Sequence, residues 1–212
     1  GAGAMSCATG LFGALSPCAE DLVTRIFVDA RSQNGWKDTP VLDAELHRIW
    51  ALARWAPTSA NCSPMRVKFV RPGPAQDKLL GFIDEGNLAK VRAAPVTAIL
   101  GYDLAFYEQF EVLFPHRPAV REWFAGPENS ERARMTAIRN GTLQAGFFML
   151  AARAVGLDCG PLSGFDHAGV DQAFWQGTEV RTNFLCGLGH GDPECLFPRH
   201  PRFDFDDVCE IL

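Results

Sequence analysis

The chain has 212 residues, 47% of them apolar and 21% charged, and carries a formal net charge of −5. That length and apolar share support one sizeable core, and the acidic balance excludes a basic surface of the kind that binds nucleic acid or anionic membranes. The longest apolar run, around residues 145–152, is far too short to span a bilayer.

Gly-Ala-Gly-Ala before Met5 reads as an expression scar at 1–4, leaving 5–212 as one domain. No basic stretch followed by an apolar core comes after Met5, so no export signal is expected. The seven cysteines (7, 18, 62, 159, 186, 195 and 209) form no CxxC pair. They read as reduced thiols in a cytoplasmic protein, without zinc or disulfides.

Ser16-Pro17 opens a helix running through CAEDLVTRIFVDARS, with Leu22, Ile26, Phe27 and Ala30 on one face. Asp43 caps a second helix carrying Leu46, Ile49, Trp50 and Ala53. Pro57 ends it, and APTSANCSP (56–64) follows as a loop of small polar residues. MRVKFVRP (65–72) reads as a strand, PAQDKLLGFI as a short helix and PVTAILGYD (95–103) as a buried strand. Residues 104–128 are aromatic but poorly periodic, which predicts loops with a partial helix. The longest helical signal covers 129–157 and turns apolar on nearly all sides from Leu143, predicting a buried second half. VDQAFW is a short helix and RTNFLCGLG (181–189) a buried strand. Helices outnumber strands without βα alternation, so the expected class is α+β.

GLGHG (187–191) mimics a dinucleotide fingerprint, but Asp192-Pro193 follows where a helix should open. The five histidines share no metal-ligand spacing, and no serine sits in a nucleophile elbow. Hard chemistry in such a chain belongs to a cofactor. Four polar stretches are candidates for holding one: ARSQNGW (30–36), APTSANCSP, EGNLAKVRAAP (85–95) with Asn87 and Lys90 on one side of a turn, and CGPLSG (159–164). PRHPR (198–202) adds two arginines.

These stretches and their order resemble the FMN-dependent nitroreductase family from about residue 20 to the C-terminus. The blocks NGW, PTSAN, EGNLAK, AAPVTAI, LFPH, WFAG, GLDCGP and LFPR resemble most the malonic semialdehyde reductases of pyrimidine utilisation. The resemblance implies a nitroreductase-like fold: a mixed central sheet flanked by helices, in an intertwined homodimer with FMN at the interface. It implies that NAD(P)H reduces the flavin and leaves, and that a small carbonyl or nitro substrate then takes the hydride from N5 in ping-pong fashion. Malonic semialdehyde going to 3-hydroxypropionate is the expected reaction. The alternatives are a broad nitroaromatic or quinone reductase, and a flavin-binding protein without reductase turnover.

Residue by residue, the resemblance assigns the FMN phosphate to Arg31 and Arg199, since a planar guanidinium suits a phosphate dianion. Relatives carry two adjacent basic residues where this chain has Ala30-Arg31, so Arg202 is the alternative to Arg199. Ser32 and Asn34 are assigned to the ribityl chain or ring edge. Asn87 and Lys90 fall to the pyrimidine edge, where Lys90 tunes the flavin. Pro161, Leu162, Ser163 and Gly164 are assigned to the ring near N5, and Pro57, Thr58, Ser59 and Asn61 reach the flavin of the other subunit. In LFPHRPAVREWFAG (113–126), Arg121 is the expected clamp for a substrate carboxylate and Phe124 part of an aromatic wall. No metal is expected.

Overall fold

A computed structural model describes residues 17–212; the Ser16 cap and the four residues before Met5 lie outside them. The first helix, α1 (Pro17–Val23), widens into a π-turn over Thr24–Val28 and stops there. Arg31 and Ser32 therefore lie beyond it, on extended chain. Helix α2 (Asp43–Ala53) begins at Asp43, with the Glu45 carboxylate accepting from the Leu42 N–H at 2.8 Å. Asp43 is thus the first helical residue and not the cap.

Strands β1 (Met65–Val70), β2 (Val96–Asp103), β3 (Asp158–Leu162) and β4 (Val180–Gly189) form one sheet in the order β1-β2-β4-β3. All three pairings are antiparallel. The parallel component is a single bridge from Ser32 to Cys159 at the outer edge of β3. Between the strands lie α3 (Pro74–Leu80), α4 (Glu85–Ala93), α5 (Phe110–Leu113), α6 (Ser130–Ala154) and α7 (His167–Phe174), with α8 (Phe205–Val208) near the C-terminus. This is the expected α+β class, a sheet flanked by helices, though its strand pairings are antiparallel where a mixed sheet was expected.

Alternation along the central strands splits the core in two. Val96, Ala98 and Leu100 of β2 and Cys186 and Leu188 of β4 pack with α2 and α6. Ile99 and Leu185 face the other way, against Leu79, Val91 and Val170 of α3, α4 and α7. A third cluster of Phe106, Phe110, Val120 and Phe124 fills the space beneath 104–126. Among the described residues no helix is long and apolar enough to cross a membrane, and no group of three His, Cys, Asp or Glu side chains is placed to hold a metal. Cys62, Cys159, Cys186, Cys195 and Cys209 are free thiols.

The first residues of CGPLSG form β3, because an edge strand tolerates Pro161 where a central strand would not. One expectation needs correction: the second half of α6 is not buried all round, since Leu143 is 50% and Phe147 40% exposed, one turn apart.

Candidate functional site

The segment 31–37 is stitched to the sheet at both ends. The Gln33 N–H donates to the Cys159 carbonyl at 2.9 Å, and the Lys37 N–H to the His190 carbonyl at 2.8 Å. Between these points Ser32 bridges Cys159 and Trp36 bridges Gly191. The Trp36 ring lies on bare backbone: a Cβ at Gly160, Gly187 or Gly189 would come within 3.1, 2.7 or 2.9 Å of it. Its indole N–H donates to the Lys90 carbonyl at 3.3 Å.

Residues 85–93 form helix α4, which puts Asn87 and Lys90 on one side of a helical turn as their spacing predicts. The Asn87 amide donates to the Gly164 carbonyl at 3.1 Å, and the Asp84 N–H reaches the same carbonyl at 3.2 Å. Lys90 lies one turn further along, on the same side. Hence 31–36, Asn87, Lys90 and 161–164 are gathered around the β3 edge. Pro161, Leu162 and Ser163 also line an open cleft of about 370 Å³ with Met149, Asn183 and Phe184.

The C-terminal chain returns to this edge. The Arg31 guanidinium donates to the Phe197 carbonyl at 2.5 Å, and Arg199 to those of Val28 and Ala30 at 2.6 and 3.3 Å. Arg202 instead bonds the carbonyls of its own neighbours His200 and Pro201. The ion pairs found among the described residues use Arg66, Arg71, Arg121 and Arg134. Arg31, Arg199 and Lys90 are in none of these ion pairs; Arg31 and Arg199 meet where the C-terminal chain crosses residues 28–31, and the backbone of Lys90 is tied to the same segment through Trp36.

The loop 57–64 forms a separate, strained unit. Ala60, Asn61 and Ser63 all have positive φ, of 51°, 50° and 38°. Such conformations cost on the order of 1–3 kcal/mol each in a non-glycine residue and persist only where the surroundings impose them. Here two amides one turn apart on α6 do so. The Asn140 carbonyl oxygen accepts from the Ser59 N–H at 2.9 Å, and that of Gln144 from the Met65 N–H at 2.8 Å. Thr58 Oγ1 accepts from the Ser63 N–H at 3.1 Å, and the Asn61 amide donates to the Leu113 carbonyl at 2.8 Å. Cys62 is buried beneath, and that burial pushes its thiol up to about 11, so it is inert near neutrality. Pro57, Ser59 and Asn61 remain exposed, and no hydrogen bond found for the loop reaches the β3-edge group.

In the segment 104–126 both substrate-side candidates already have partners within the chain. Arg121 is held by Glu108 through two hydrogen bonds of 2.8 and 2.6 Å, which draws the Glu108 carboxyl below its ordinary range. Its charge is already answered, so it does not stand free as a carboxylate clamp. Phe124 packs edge-on to Phe106 at 5.0 Å inside the third cluster, so it is a core residue. The exposed aromatic of the pair is Trp123, with the Arg117 guanidinium 5.3 Å from its ring centre.

Sequence reading passed over Gln33, Trp36, Asn140 and Gln144. Gln33 is buried, and its Oε1 is one of two buried side-chain polar atoms without a partner among the described residues. Asn140 and Gln144 had a legible signal: two amides spaced i, i+4 within the small-residue stripe of Ala137, Gly141 and Ala145. Trp36 had none, since its seat is built from glycines more than a hundred residues away.

The profile of the Nitroreductase family matches residues 29–190, and the chain belongs to that family. It is 54% identical over 191 residues to the "Putative NADH dehydrogenase/NAD(P)H nitroreductase" of Cupriavidus pinatubonensis, covering 90% of this chain and 97% of the relative. It is 55% identical over 186 residues to HadB of Ralstonia pickettii, which bears the same description, covering 88% and 95%. In fold it is similar to a "putative nitroreductase" of Bacillus subtilis, at a TM-score of 0.81 and 23% identity, covering 92% of this chain and 100% of that one. A nitroreductase from Exiguobacterium sibiricum in complex with FMN gives a TM-score of 0.79 at 19% identity, covering 89% and 96%.

Proposed function

We propose that residues 5–212 form one FMN-binding domain, and that the protein is an NAD(P)H-dependent oxidoreductase acting on small molecules as a homodimer. The observation that carries this reading is that Arg31 and Arg199 meet at residues 28–31 beside the β3 edge, with the Lys90 backbone tied to that segment through Trp36, and that none of the three is in an ion pair found among the described residues. A phosphate dianion and an electron-rich ring edge are the groups such a constellation suits.

In this reading Arg31 and Arg199 hold the phosphate. Arg202 does not, being engaged with its own segment. Ser32 and Asn34 offer hydrogen bonds to the ribityl chain, Asn87 and Lys90 meet the pyrimidine edge, and Pro161, Leu162, Ser163 and Gly164 lie along the ring. Bound FMN would supply the two-electron carrier between NAD(P)H and the acceptor. Lys90 contributes a positive charge where reduction leaves negative charge.

Pro57, Thr58, Ser59 and Asn61 are assigned to the site of the partner copy. The strained loop that carries them is braced from behind and bonded to nothing in its own β3-edge group. Leu143 and Phe147 on α6, and Phe203, Phe205, Val208 and Ile211 of the tail, leave apolar surface that an intertwined second copy would cover.

Malonic semialdehyde, reduced at its aldehyde, is the finer reading and rests on the sequence blocks alone. The engagement of Arg121 with Glu108 favours the second reading, a nitroaromatic or quinone acceptor that needs no carboxylate clamp. Anaerobic spectra of the purified protein test both. Its flavin absorbance is expected to bleach on adding NADH or NADPH, and to return with malonic semialdehyde under the first reading or only with nitro compounds or quinones under the second. A flavin that stays oxidised with either nucleotide contradicts reductase turnover.

A further inference from the structure

We propose that Trp36 is a positioning residue, tying the 31–34 segment to the end of helix α4 and so fixing the spacing between the two ends of the cofactor site. The inference rests on the FMN reading above.

Two features of the molecule lead to it. The last four carbonyls of a helix have no partner within it, and those of α4 belong to Lys90, Val91, Arg92 and Ala93. The Gln76 amide donates to the carbonyls of Val91 and Arg92 at 3.1 and 3.3 Å. The Lys90 carbonyl is taken by the Trp36 indole. A side chain from the phosphate-end segment thus serves as a cap for the helix that carries Lys90.

The second feature is the floor beneath the ring. Glycine weakens a strand unless something must approach its backbone closely. Gly160 on β3 and Gly187 and Gly189 on β4 form one patch, and the indole lies on it too close for a Cβ at Gly187 or Gly189 and tight against one at Gly160. A tryptophan serving only to fill a core would be packed among large apolar side chains. This one is half-buried, lies on three glycines and directs its N–H at a helix end. Since Trp36 is also bridged to Gly191 and Gln33 is bonded to Cys159, movement of the indole is transmitted along 31–34.

The test is a double-mutant cycle read by FMN affinity and flavin midpoint potential. Trp36→Phe keeps a ring over the glycines and removes the N–H. It is expected to raise the FMN Kd by about twofold to tenfold and to lower the midpoint potential. Once Lys90 is replaced by Met, Trp36→Phe should shift the potential no further, because the effect acts through Lys90. Gly187→Ala displaces the ring while leaving the tryptophan itself in place and should give the same pattern, which keeps the test valid if Trp36→Phe folds poorly. The inference is overturned if the wild type binds FMN and both variants leave the potential unchanged, or if their shifts add in full to that of Lys90→Met. A wild type that takes up no FMN overturns the FMN reading and this inference with it.

Discussion

Replacing Arg31 or Arg199 by alanine is expected to weaken FMN binding by about tenfold to a hundredfold, whereas Arg202→Ala should change it by less than about twofold. A charge-assisted contact to a phosphate contributes roughly 1.5–3 kcal/mol, which sets the first range. The asymmetry comes from the structure. Arg199 crosses to the carbonyls of Val28 and Ala30 and stands beside Arg31, while Arg202 bonds only its own segment. Each arginine also fastens the C-terminal chain to residues 28–31 through a carbonyl. Lysine variants that keep the charge but lose the planar fork should recover only part of the affinity. Fluorescence titration of the apoprotein with FMN gives all these values. Equal losses for Arg199 and Arg202 would mean that the tail contributes only a diffuse positive field.

Lys90→Met has the second large expected effect, on electronics more than on affinity. A positive charge near the pyrimidine edge stabilises the reduced, negatively charged ring more than the oxidised one. For a half-exposed ammonium this difference is on the order of 1–2 kcal/mol, or roughly 20–40 mV for a two-electron couple. The variant should therefore have a lower midpoint potential and be reduced more slowly by NAD(P)H, with a smaller change in FMN Kd. An unchanged potential would make Lys90 a solvated surface lysine.

Much of this architecture was legible in the sequence because local signals agreed with tertiary context. The strands Met65–Val70, Val96–Asp103 and Val180–Gly189 are apolar enough to declare themselves, and the period of 130–154 marks a long helix. Gly160-Pro161 has residue types common in turns, yet it forms an edge strand, because glycine admits Trp36 and Pro161 needs no N–H there. EGNLAKVRAA has a narrow apolar face, with Val91 buried and Leu88 packed beside it against the core. The apolar sides of α6 at Leu143 and Phe147 have the pattern of core, yet the described residues leave them half-exposed.

The site divides along the same line. Its residue types were visible because they came as compact polar blocks interrupting apolar elements. Their grouping was visible only through resemblance, since Arg31, Lys90, Pro161 and Arg199 are far apart in the chain. On the substrate side, the sequence neighbours of Arg121 and Phe124 do not show what these side chains touch. Their partners in space are Glu108 and Phe106. The bracing amides Asn140 and Gln144 lie about 80 residues from the backbone they hold, so only the fold could pair them with it.

The central claim is that each FMN site joins the β3-edge group of one copy to the 57–61 loop of the other, and subunit complementation tests it most directly. One variant carries Arg31→Ala with Arg199→Ala, and the second carries Ser59→Glu, which places a carboxylate on the exposed face of the loop. Each alone is expected to bind little FMN. When the two are unfolded together and refolded as mixed dimers, one site collects every lesion and the other has none, so binding should return at one FMN per mixed dimer. If the loop served its own copy, both sites of the mixed dimer would be damaged, and FMN uptake would stay at the level of the separate variants.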